Sequence, residues 1–271
     1  MRVVLTWLAR ITFPLALVAG CSPEPEPAPA PTTTVPAAPS GPVLRPGDVA
    51  ITNGTEEIVA YLAKPKGRGP FPALVVIHEW WGLNNQIRGM ADQLARQGYL
   101  SLAVDLYRGK VTDNPEQAHE RMRGLPEDRA MRDLAAAYAY LKASPDVNPD
   151  RIGSIGWCMG GGLSLKLAMA EPTLAACAVY YGAIPSEPES LAAIQAPVIG
   201  FFGEKDEGIP EASVLAFETA MQKQGKSAQV HVYRNAGHAF ANSKSKSYQN
   251  LAADDAWGKL MAFFGKHLKG A

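Results

Sequence analysis

The chain has 271 residues, enough for one large α/β domain or two small ones, and 47% of them are hydrophobic, so a sizeable core can form. Lysine and arginine together balance aspartate and glutamate at 26 each. A formal charge of zero gives no basic field for nucleic acid or another polyanionic partner.

The first 20 residues, MRVVLTWLARITFPLALVAG, place arginines early and an apolar run from Ile11 to Gly20 behind them. That run is short for a permanent membrane span but has the anatomy of an export signal. Leu17-Val18-Ala19-Gly20-Cys21 resembles the lipoprotein box of bacteria, in which the cysteine becomes the lipid-bearing N-terminus. The other reading is a plain secretory signal with Cys21 incidental. Removal of Arg2 and Arg10 would leave 24 basic residues against 26 acidic ones, a weakly acidic body held by acyl chains. Residues 21–47 are dense in proline, which suits an extended tether rather than a helix or sheet. The expected domains are therefore a signal peptide 1–20, a lipidated cysteine with its tether 21–47, and one folded domain 48–271. The location implied is the bacterial cell envelope.

Within that domain apolar runs and helical stretches alternate. EEIVAYLA (56–63) reads as a strand, and ALVVIHE (73–79) as a buried strand followed by the helix NQIRGMADQLARQG. YLSLAVDLY is the next strand; a mixed polar segment then leads to the helix RAMRDLAAAYAYLKAS, ended by Pro145. RIGSIGW, LAACAVYYG, APVIGFFGEKD and AQVHVYRNAGH supply four more strands. Helices GGGLSLKLAMAE, ASVLAFETAMQKQG and SYQNLAADDAWGKLMAFFGKHL separate or follow them. The alternation predicts an α/β fold with a mostly parallel central sheet and helices on both faces. Sites in such sheets lie beyond the carboxyl ends of the strands, which points to HEWWG, DLY, GWCMG, GEKD and NAGH.

Gly156-Trp157-Cys158-Met159-Gly160 has the G-x-nucleophile-x-G form of a strand-to-helix elbow, with cysteine where serine is usual. The helix that follows aims its N-terminal N–H groups at the sulfur. The N–H of Met159 is one candidate oxyanion donor and that of Trp80 the other. A free thiol ionises near pH ~8.5, so it needs a base. His238 in NAGHAF follows the last strand, and Asp206 in GEKDEGIP follows the strand before it. Nucleophile, acid, histidine is the chain order of the α/β-hydrolases. Glu204 and Glu207 are the fallback acids. His78, His119, His231 and His267 fit the role less well. Trp80 and Trp81 are candidates for an acyl pocket or for core packing, and Cys177 reads as buried packing. No C-x-x-C, H-E-x-x-H or G-x-G-x-x-G spacing occurs, so no metal and no cofactor are expected.

HEWWGLNNQIR, QGYLSLAVDLY, GWCMGGG, VYYG, GEKDEGIP and NAGHAF, in that order over most of 50–268, closely resemble the dienelactone hydrolase family. The resemblance implies a triad of Cys158, His238 and Asp206. It also implies a glutamate, here Glu79, that governs the thiol's ionisation when substrate arrives. The bland reading of Glu79 is a solvated carboxylate at a strand end. The family holds its anionic lactone with two arginines, but the corresponding positions here are Asn242 and Pro115. Arg88, Arg108, Arg121 and Arg123 are the candidates to compensate. The expectation is a monomeric, lipid-anchored hydrolase acting on a small ester, lactone or thioester, preferring neutral substrates. Two other classes stay open: a tethered small-ligand binding module, and a redox thiol protein with Cys177 as resolving cysteine.

Overall fold

The computed structural model describes Arg45 and residues 47–270, apart from residues 55, 186 and 187. The signal segment 1–20, Cys21 and most of the proline-rich tether lie outside the described residues.

Eight strands form one sheet: β1 (Asp48–Asn53), β2 (Glu56–Ala63), β3 (Phe71–Ile77), β4 (Leu100–Val104), β5 (Val147–Trp157), β6 (Ala176–Tyr180), β7 (Val198–Gly203) and β8 (Ala228–Tyr233). Their order is β1-β2-β4-β3-β5-β6-β7-β8. β1 and β2 pair antiparallel with each other and β2 with β4, whereas every pair from β4 to β8 is parallel. The sheet is the mostly parallel one expected, with an antiparallel hairpin at one edge. Strand β1 is an addition to the expected elements, because only Ile51 of DVAITN is buried and no alternation shows. Its turn is readable: Asn53 faces Glu56 across a tight connection in which Gly54 adopts φ 63°.

The helices are α1 (Asn85–Arg96), α2 (Pro115–Arg123), α3 (Glu127–Ala143), α4 (Met159–Ala170), α5 (Glu211–Lys223) and α6 (Asn250–Phe264). Helix α2 lies in the segment read as mixed and polar. Its start is signalled by Asn114, whose side chain accepts from the Glu116 and Gln117 N–H groups, and by Pro115 in the first turn.

Period-two alternation in β3 divides the core. Ala73, Val75 and Ile77 join the side chains of α3, α4 and α5 on one face; Leu74 and Val76 join those of α1 and α6 on the other. Burying each large apolar side chain contributes about 1.5–3 kcal/mol. The sandwich fixes the carboxyl ends of β3, β5, β7 and β8 relative to one another, and the loops that leave them carry the chemistry. Among the described residues no helix is long and apolar enough to cross a membrane.

Candidate active site

Cys158 sits between β5 and α4 at φ 55° and ψ −121°, a conformation strained for any residue with a Cβ. The surroundings hold it there. Its N–H donates to the Tyr180 carbonyl at 3.0 Å, and its own carbonyl accepts from Gly161 N–H at 3.0 Å. A Cβ on Gly156 would lie 2.0 Å from the Gly160 carbonyl oxygen, and one on Gly160 would lie 2.4 Å from that of Ile77. Those two glycines are therefore demanded by close approach of strand, helix and the end of β3. Met159 opens α4 directly after Cys158, so its N–H has no acceptor within the helix, and the positive end of the helix lies at the elbow.

Asp206 lies in the turn after β7, only 4% exposed. One of its carboxylate oxygens accepts from Gly208 N–H at 3.0 Å, and the other receives His238 Nδ1–H at 2.7 Å. That bond fixes the tautomer and leaves Nε2 for Cys158. Burial disfavours the imidazolium of His238, but its bond to Asp206 and the nearby Cys158 outweigh it and push the group up to about 10. The ring of Tyr181, at φ 36°, meets that of His238 edge-on with centroids 5.2 Å apart.

The alternatives raised by the sequence separate cleanly. Glu204 accepts from Asn235 N–H at 2.8 Å and so builds a turn, and Glu207 is exposed. His78 is structural: Nδ1–H donates to the Glu79 carbonyl at 2.6 Å, and Nε2 accepts from Leu106 N–H at 3.3 Å. His119 lies on α2 against Trp80, His231 stacks on Phe201 in β8, and His267 follows α6. Cys177 is fully buried beside Ser164, in the core on the opposite face of the sheet from Cys158, and burial pushes its thiol up to about 11. It is no resolving cysteine.

Glu79 is 3% exposed, which rules out a solvated strand-end carboxylate. Its Oε2 accepts from Asn242 Nδ2 at 2.6 Å, and its Oε1 from the Tyr181 hydroxyl at 3.4 Å. Burial raises its pKa to about 7, opposed by the Asn242 bond, the charge of His238 and the Tyr181 bond. Asn242, where the resemblance leads one to look for an arginine, is itself buried and in contact with the glutamate.

These groups face a cavity of about 1010 Å³. Glu79, Cys158, His238 and Asn242 line it, together with Trp80, Trp81 and Met122, so both tryptophans serve the pocket wall. Two of the compensating arginines are spent elsewhere. Arg88 pairs with Asp48 at 2.5 Å, and Arg108 pairs with Asp133 and Glu56. Arg121 and Arg123 lie on α2, and neither lines this cavity. Sequence reading missed Gln86, one turn into NNQIR, and the role of Tyr181 at the end of VYYG. Only the neighbouring motifs hinted at either. Among the described residues no cluster of three or more His, Cys, Asp or Glu side chains is arranged to hold a metal ion.

The dienelactone hydrolase family profile matches residues 58–268. The chain belongs to the dienelactone hydrolase family. A Methylorubrum extorquens protein with the provisional designation carboxymethylenebutenolidase is 33% identical over 235 residues, spanning 82% of this chain and 81% of that one. Protein usf of Aquifex pyrophilus is 34% identical over 224 residues, 80% of this chain and 96% of its own. Among solved structures, a Klebsiella pneumoniae protein provisionally assigned as a dienelactone hydrolase superposes with a TM-score of 0.75 at 29% identity, covering 81% of this chain and 98% of the other. The protein is accordingly an α/β-hydrolase whose chemistry is hydrolysis of ester or lactone bonds.

Proposed function

We propose that this dienelactone hydrolase relative is an exported, lipid-anchored cysteine hydrolase acting on a small neutral ester, lactone or thioester. The observation that carries the reading is the 2.7 Å bond from His238 to Asp206, with the same imidazole lining one cavity with a cysteine held at a strained elbow.

In the reaction, the Cys158 sulfur attacks the substrate carbonyl, and His238 carries the thiol proton as imidazolium. The N–H groups of Met159 and Trp80 take the developing oxyanion. Collapse of the tetrahedral adduct breaks the carbonyl–oxygen bond of an ester or lactone, or the carbonyl–sulfur bond of a thioester, and His238 passes its proton to the leaving group. A water molecule, deprotonated by His238, then attacks the acyl-cysteine, and the acid departs as the thiol re-forms. Asp206 holds the tautomer throughout. Glu79 stands in the wall as a carboxylate that can take a proton near neutral pH.

Neutral substrates are favoured because the two arginine positions hold Asn242 and Pro115. Lys244 and Lys246 line the cavity, but an exposed ammonium is a point charge and does not reproduce a bidentate guanidinium clamp. Cys21 supplies the anchor, and the proline-rich run the distance from the membrane.

The test is a panel of aryl esters, thioesters and lactones offered to the full chain and to Cys158→Ala. Loss of about 10³-fold or more in kcat/KM supports the nucleophile. A tenfold preference for an anionic dienelactone over neutral aryl esters would remove the specificity reading. A folded protein inert to the whole panel, whose Cys158 still reacts with iodoacetamide, would make it a ligand-binding module. Palmitate labelling that persists in Cys21→Ala would overturn the anchor.

A further inference from the structure

The amide of Asn242 is polarised by its neighbours. The Lys244 backbone N–H, a group that can only donate, lies 2.8 Å from one end of that amide. That end is therefore the carbonyl Oδ1. The same oxygen lies 2.7 Å from the Gln86 side-chain amide, which must turn its Nε2 toward it. With Oδ1 occupied by two donors, the other end facing Glu79 Oε2 at 2.6 Å is an N–H.

We propose that Gln86 is a positioning residue that, with the Lys244 N–H, locks the Asn242 amide, so that Glu79 accepts on Oε2 and takes up or releases its proton only at Oε1. The inference rests on the hydrolase reading for its purpose but not for its chemistry. Oε2, facing an N–H, has no acceptor for a proton of its own. Oε1 faces the Tyr181 hydroxyl, which can accept as well as donate, and the Tyr181 ring packs on His238. A proton gained by Glu79 is thus held on the side of the triad histidine. A flipped Asn242 would offer Oδ1 instead and would hold the proton on the far oxygen, favouring the neutral acid. The lock leaves a carboxylate without a hydrogen-bonded cation beside the nucleophile, poised to change charge near neutrality.

The charged and titratable groups around Glu79 are His238 from the loop after β8, Tyr181 after β6 and Cys158 at the elbow. Asp113, Lys244 and Lys246 line the same cavity. The adjacent His78 is engaged with backbone groups through both ring nitrogens.

The experiment follows the Glu79 carboxyl by carbon-13 NMR across pH 4–9 in the full chain, assigned by its absence in Glu79→Gln. It needs no substrate, so it is independent of whether any ester is turned over. In the wild type the midpoint is expected near 7. Gln86→Met removes the side-chain half of the lock without adding charge, leaving only the Lys244 N–H on Oδ1, and is expected to raise the midpoint by about half a unit. Gln86→Glu replaces the donor by an acceptor and is expected to raise it by about one unit or more. The pH profile of kcat/KM on a neutral aryl ester should move with it. A Gln86→Met midpoint equal to the wild type overturns the proposal, even if Gln86→Glu is shifted, since a shift in that variant alone is only the effect of an added charge. Should Gln86→Glu fail to fold, the Gln86→Met comparison decides by itself.

Discussion

Two carboxylates in this protein are removed from water and each is met by an asparagine amide, yet they are built for opposite ends. Asp133, fully buried on α3, accepts Asn53 Nδ2 at 2.5 Å and both guanidinium nitrogens of Arg108, at 2.6 and 3.1 Å. Glu79 accepts Asn242 Nδ2 at 2.6 Å and the Tyr181 hydroxyl, with no hydrogen-bonded cation among the described residues. Burial works against the Arg108 charge, but its bonds to Asp133 and Glu56 more than restore it, raising its pKa. The first pairing binds α3 to the β1–β2 hairpin through Arg108 and Asn53. The second leaves a carboxylate whose charge is in balance near pH 7. A neutral donor in place of a cation makes a buried acid available for proton transfer and costs the fold some stability.

The sharpest way to break this contrast is to take the cation from Asp133. Arg108→Leu leaves a carboxylate in the core with only one amide donor. Removing one partner of a buried pair costs about 3–5 kcal/mol, and the partial exposure of Arg108 brings the expectation to about 3 kcal/mol. Urea unfolding at pH 7 measures it. Activity per folded molecule should stay within about twofold of the wild type, because neither residue lines the cavity. A loss under about 1 kcal/mol would mean that the two carboxylates are not differently supported.

Glu79→Gln tests the other half, and the sign is set by linkage. The folded-state pKa of about 7 lies above the ordinary value of 4.5. The native state therefore binds more protons than the unfolded chain between those values. Stability associated with Glu79 is fully present below 4.5, falls as pH rises toward 7 and is flat above it. The substituted glutamine is neutral throughout: its oxygen can face Asn242 Nδ2 and its amide can donate to the Tyr181 oxygen. The variant should match the wild type near pH 4 and exceed it at pH 8 by at most about 3 kcal/mol, while losing activity. Urea curves at the two pH values decide, and parallel losses on alkalinisation in both proteins would remove Glu79 as the titrating group.

How much of this is legible in the sequence follows from sequence separation. Cys158, Asp206 and His238 each follow an apolar strand directly, and the glycines around Cys158 declare a close approach. A local reading places all three. Strand β1 escapes such a reading because its apolar content is slight, although Asn53-Gly54 marks its end. The environment of Glu79 is out of its reach, and only the family resemblance, in which the residue at position 242 pairs with the glutamate, points to Asn242. The partners Tyr181 and Asn242 lie 102 and 163 residues away, and the Gln86–Asn242 contact spans 156 residues. The same holds for Arg88 and Arg108, whose bonds to Asp48 and Asp133 only the packed sheet reveals. An arginine's position in sequence does not say which carboxylate it will meet.

The smallest effect separates the two asparagines. Asn53→Leu deletes the amide donor to Asp133 but leaves the bidentate guanidinium, so the carboxylate keeps its counter-charge. The net cost of one such hydrogen bond to a charged group is about 1.5 kcal/mol, and the half-open position of Asn53 reduces it to about 1 kcal/mol. Urea unfolding at pH 7 measures that cost. Asn242→Leu removes a donor of the same chemistry from a carboxylate with no hydrogen-bonded cation, and its cost should grow with pH as Glu79 ionises. If Asn53→Leu instead costs as much as Arg108→Leu, Arg108 does not carry the support of Asp133 as its two bonds imply. The division between a structural carboxylate and a titrating one would then lie elsewhere than in the presence of the cation.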